Sequence, residues 1–125
     1  MLKRKAFIVV LAIIFVVGCT SFAGNAYKAL YVTAQAYDAG MKSVAELQKD
    51  GIITEEQRAE INIHATKVYH SYQAASAALS VYNKTKTSED KDRLVIILSE
   101  LMTNWMVYAE AVNSFAPNTI PVEVK

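Results

Sequence analysis

Cysteine occurs only once in this chain, at Cys19, and proline only twice, at Pro117 and Pro121. A lone thiol has no partner within the chain, so no internal disulfide holds the fold and stability must come from packing. Both prolines lie near the C-terminus, so nothing before residue 117 carries the strongest helix breaker. Glycine is scarce as well: after Gly18 only Gly24, Gly40 and Gly51 remain. A chain so poor in breakers is built for long helices. An excess of one charge sign is also missing, with 13 basic residues against 12 acidic ones. That balance leaves no electrostatic footprint for nucleic acid, which is excluded as a partner.

Motifs that carry chemistry are missing too. There is no Gly-rich phosphate loop, no Gly-x-Ser-x-Gly elbow and no Cys-x-x-Cys pair. Serines such as Ser43, Ser71, Ser76 and Ser99 lie inside helical runs with no base nearby in sequence. His64 and His70 stand six residues apart, which turns them to different faces of one helix. Glu60 and His64 are four apart and could share a metal, but the Glu-x-x-His spacing of di-iron bundles is absent. The pair reads as a surface hydrogen bond. The expectation is a protein that is not an enzyme, with no metal site and no cofactor.

What is present begins at the N-terminus. Lys3, Arg4 and Lys5 precede an unbroken apolar run over residues 6–17, closed by Gly18 and Cys19. A basic head, a short apolar stretch and small residues at the cut mark a secretory signal. The run is too short for a bilayer span, which needs about 20 apolar residues. The order Val16-Val17-Gly18-Cys19 resembles the lipobox of bacterial lipoproteins, with Val16 in place of the commoner Leu. That resemblance implies cleavage between Gly18 and Cys19, diacylglycerol on the Cys19 thiol and an acylated new N-terminus carrying a chain such as palmitate. Two or more acyl chains hold a protein stably, where one holds it marginally. Thr20 follows where inner-membrane retention usually places Asp, which favours the periplasmic face of the outer membrane if the cell is Gram-negative. Processing removes three of the 13 basic residues, so the mature chain is slightly acidic, about −2.

Three periodic segments follow. Tyr27, Leu30, Ala34, Tyr37, Met41, Val44 and Leu47 recur at steps of three and four. Ile61, Ala65, Val68, Tyr72, Ala75, Leu79 and Tyr82 do the same, as do Leu94, Leu98, Leu101, Trp105, Tyr108, Val112 and Phe115. Such steps place each set on one helical face, and a sustained seven-residue repeat keeps that face on a neighbouring helix. Asp50 and Gly51 end the first helix, and Thr54 with Gln57 forms a capping box for the second. The polar segment 84–88 forms the second turn, where Thr87 or Ser88 caps the third helix. Short connections force antiparallel neighbours. The fold expected is all-α, an up-down-up antiparallel three-helix bundle. Its parts are a signal peptide over 1–18, a lipid-anchored linker over 19–25, the bundle over 26–116 and an extended tail over 117–125.

Candidate contact residues come from what the stripes leave over. Tyr27, Tyr37, Tyr72, Tyr82 and Tyr108 fall on packing stripes, whereas Tyr31 and Tyr69 lie beside them and suit a sugar- or partner-facing surface. Ile96, Met102 and Met106 widen the apolar face of the third helix, either because it touches both others or because it exposes a patch. In the tail, Ile120, Val122 and Val124 alternate with Pro121 and Glu123, giving either a frayed end or a strand for a partner. The function expected is a small lipoprotein of the cell envelope, held in the membrane lipid through Cys19. It acts without catalysis, by contact with an envelope partner or by forming a homo-oligomer. The alternatives are a prophage-encoded envelope protein for superinfection exclusion or lysis, and a binder of small apolar ligands between the helices.

Overall fold

The computed structural model describes residues 22–122, and Gly18 and Cys19, with the signal and cleavage assigned to them, lie outside the described residues. Among the described residues three helices occur in order: α1 (Phe22–Lys49), α2 (Glu55–Thr85) and α3 (Ser88–Phe115). The expected three-helix bundle is present. The start of α1 meets the end of α2 through an edge-on contact of Phe22 with Tyr82, centroids 5.5 Å apart. Near the first turn, Arg58 donates to Gln48 across the same pair of helices. Those contacts run in opposite chain directions. α1 and α3 run in parallel, since Phe22 lies under Lys91 and Tyr37 lies beside Tyr108.

Local chemistry sets the turns. Gly51 adopts φ +75°, a left-handed conformation that costs glycine little. The Ile52 amide then donates to the Leu47 carbonyl at 2.9 Å and the Gly51 amide to Gln48 at 3.1 Å, the paired bonds of a Schellman ending. The Thr54 capping box forms in full, with Gln57 N–H donating to Thr54 Oγ1 and Thr54 N–H to Gln57 Oε1. The second turn is tighter than expected. Only Lys86, left-handed at φ 54°, and Thr87, the N-cap, separate α2 from α3.

The second and third stripes pack as the periodicity requires: Ile61, Ala65, Val68, Ala75, Leu79 and Tyr82 meet Leu94, Leu98, Leu101, Trp105, Tyr108 and Val112. α3 is long and apolar enough to cross a membrane by length and composition, and 39% of its most apolar stretch is buried within the bundle. The first stripe is rotated. The residues α1 buries are Phe22, Ala26, Leu30, Thr33, Gly40 and Val44, while Tyr27 is 64% exposed. Small residues repeat every seven at Ala26, Thr33 and Gly40, and they let the backbone of α1 come close to its neighbours. Thr33 returns its hydroxyl to the Ala29 carbonyl at 2.7 Å, which permits its complete burial.

Three further expectations are corrected. Residues 22–25, expected as linker, are the first turn of α1, because Phe22 has an aromatic partner in Tyr82. The segment after Pro117 neither frays nor stands free over the residues described. Asn113 Oδ1 accepts from the amides of Thr119 and Ile120, and its Nδ2 donates to the Ile120 carbonyl. Trp105 Nε1 donates to the Pro121 carbonyl at 3.2 Å, and Ile120 is buried against α1 at Gly40. Met102, offered as a surface residue, is only 6% exposed, since α3 uses it to widen its core face.

Candidate functional site

The surplus of tyrosine gathers between α1 and α2. Tyr27 and Tyr31 stand one turn apart on α1, and Tyr72, Ser76, Ser80 and Lys84 line up along α2 to face them. Together they border a groove of about 410 Å³. Its floor is Leu30 and Leu79, both core residues. Tyr72 also borders a smaller apolar cleft of about 110 Å³ with Thr33, Tyr37, Val68 and Tyr69, so the two depressions adjoin on one face.

Side-chain order within this face comes from local bonds. Gln35 donates to the Tyr31 hydroxyl at 3.0 Å and Gln73 to the Tyr69 hydroxyl at 3.2 Å, each one turn along its helix. Both rings are thereby steadied while staying accessible, at 55% and 48% exposure. Tyr37 forms the inner wall, 6.3 Å from Tyr69 on one side and 6.3 Å from Tyr108 on the other. Burial pushes the Tyr37 hydroxyl above the usual phenol range, and the neighbouring Tyr69 adds to that. Tyr108 is raised far more, chiefly by burial, and donates its proton to Met41 Sδ at 3.6 Å. These phenols stay neutral at any ordinary pH. They offer apolar ring faces and hydrogen bonds.

Tyr31 and Tyr69 are thus brought onto one face, with Tyr72 between them. Ile96 is elsewhere, 60% exposed beside a shallow depression lined by α3 residues alone, and Met106 is half-buried. Tyr27, expected on the packing stripe, and Lys84, expected in the second turn, belong instead to the groove. The available signal was the i, i+4 pair of Tyr27 and Tyr31, which share a face turned one residue round from Ala26 and Leu30. His64 is half-buried and its Nδ1 has no hydrogen-bond partner, so the expected pairing with Glu60 does not form. Among the described residues no group of His, Cys, Asp and Glu is clustered to hold a metal.

The described residues form a small all-helical module with an aromatic groove between two of its helices. Within that class the chain can be placed: the GA-like domain model matches residues 24–122, and the chain belongs to that family. No curated protein matches it, and no solved structure does either.

Proposed function

We propose that this chain is a protein-binding module tethered to the cell envelope through an acylated Cys19, and that the tyrosine face between α1 and α2 receives the partner. The observation that carries the reading is the joint exposure of Tyr31 and Tyr69 on one face, beside two depressions that share Tyr72. Tyrosine gives large contact area with few rotatable bonds, and its hydroxyl satisfies polar groups at a partner's rim. A GA-like domain, as a small helical interaction module, is compatible with a protein partner. What supports the tether is the resemblance of Val16-Val17-Gly18-Cys19 to a lipobox.

Photo-crosslinking in intact cells tests the face. A crosslinkable side chain at Tyr31 or Tyr69 should capture one discrete protein, while the same group at Val107, exposed on α3, should not. Equal labelling at all three positions would remove the groove as the contact. Metabolic acyl labelling of the intact chain against Cys19→Ala tests the tether independently. Label retained in that variant would refute acylation at Cys19.

A further inference from the structure

The two ends of the bundle differ in charge. Where α1 starts and α2 turns into α3, Lys28, Lys84, Lys86, Lys91 and Arg93 meet only Glu89, Asp90 and Asp92. Asp90 is itself taken up by Thr85 at 2.5 Å and Thr87 at 2.9 Å, with Arg93 at 3.9 Å. Around the opposite turn the balance reverses: Glu46, Asp50, Glu55, Glu56 and Glu60 outnumber Lys49 and Arg58. The basic end is also the end with exposed aromatic rings. Tyr27 and Tyr31 lie there, with Lys28 one turn before Tyr31 and Lys84 across the groove.

The chain leading out of this end is short. Only Thr20 and Ser21 separate Cys19 from Phe22, a reach of at most about 11 Å even fully extended. Lys28 stands six residues into α1, about 9 Å further along its axis. An acyl chain on Cys19 therefore holds the basic, tyrosine-bearing end against the headgroups and leaves the acidic end pointing away. Lysines attract anionic lipid within a Debye length, and tyrosine rings settle at headgroup depth, where one edge is apolar and the other wet.

We propose that this end of the bundle is a docking surface for anionic phospholipid, with Lys28, Lys84 and Lys86 on the phosphates and Tyr27 among the headgroups. Docking fixes the helices upright and keeps the Tyr31, Tyr69 and Tyr72 part of the face clear of the bilayer for a protein partner. The proposal rests on Cys19 being acylated.

Because Cys19 is the only natural cysteine, a nitroxide on one introduced cysteine reports its own position when the native thiol is acylated. The lipidated protein is placed in vesicles of phosphatidylcholine, with or without phosphatidylglycerol, carrying Ser80→Cys or Ile52→Cys. On anionic vesicles the label at 80 should lose access to a water-soluble nickel relaxant several-fold, while the label at 52 should not change. Lys28→Glu with Lys84→Glu should abolish that loss. Equal access on both vesicle types, or a loss that survives the double charge reversal, would overturn the docking. Protection at 80 in cell membranes but not in pure vesicles would overturn it in favour of a protein contact. A Cys19 without acyl mass would overturn the anchor and the docking together, which separates that failure from the others.

Discussion

Gly40 lies against the Tyr108 hydroxyl: a Cβ built on Gly40 would sit 2.9 Å from that oxygen and 3.2 Å from Ile120 Cδ1. This one position joins α1, α3 and the C-terminal segment. Tyr108 cannot swing aside easily, because Trp105 meets it edge-on at 5.4 Å and Tyr37 lies at 6.3 Å.

The first prediction follows from that contact. Gly40→Ala gains about 1 kcal/mol of helix propensity but overpacks a filled site, which costs about 1–3 kcal/mol. Net destabilisation is expected. In a Tyr108→Phe background the oxygen is gone, so the same alanine should be less harmful or even stabilising. Urea unfolding of the four proteins measures the coupling, and simple additivity would show that the contact is slack.

The C-terminal segment gives the second. Removing residues 117–125 would take three hydrogen bonds from Asn113, the acceptor from Trp105 Nε1 and Ile120 from Gly40. A loss of several kcal/mol is expected, at about 1 kcal/mol or more for each hydrogen bond removed. Asn113→Ala should reproduce part of it. A melting temperature unchanged on truncation would mean that the segment adds nothing to the bundle.

Leu101 carries the third. It is fully buried midway along α3, and Leu101→Ala should cost about 2–5 kcal/mol through lost transfer energy and a residual cavity. Ile96→Ala, on an exposed position of the same helix, should change stability by about 0.5 kcal/mol or less. Chemical denaturation of the two variants side by side checks the orientation of the helix.

The fourth concerns alkaline pH. Tyr108 and Tyr37 have raised folded pKa values because burial disfavours the phenolate. Their contribution is complete below the unfolded tyrosine value of about 10 and is lost as pH rises above it. Stability should therefore fall above about pH 10, and Tyr108→Phe should flatten that fall. An equally steep decline in the variant, followed by circular dichroism, would place the alkaline transition elsewhere.

Much of the fold was legible in the sequence because its information is local. Proline confined to the end, Gly51 at a left-handed position and the Thr54–Gln57 box define helix limits within a few residues, and the capping bonds form as written. The second and third stripes were legible because large apolar side chains mark their own buried face. α1 was harder to read. Its seam consists of Ala26, Thr33 and Gly40, residues with little hydropathy of their own, so Tyr27 was assigned to a face that it does not share.

The sequence by itself determined three long helices, their caps and the lack of an internal disulfide. Only the tertiary structure decided which face of α1 turns inward and that the tyrosines of two helices form one groove. It alone showed that residues 117–122 fold back onto Asn113 and Trp105. The physical reason is the same in each case. Helix formation and capping depend on neighbours within four residues, whereas close approach at Gly40, the Trp105–Pro121 bond and the facing of Tyr31 by Tyr72 depend on residues distant in sequence.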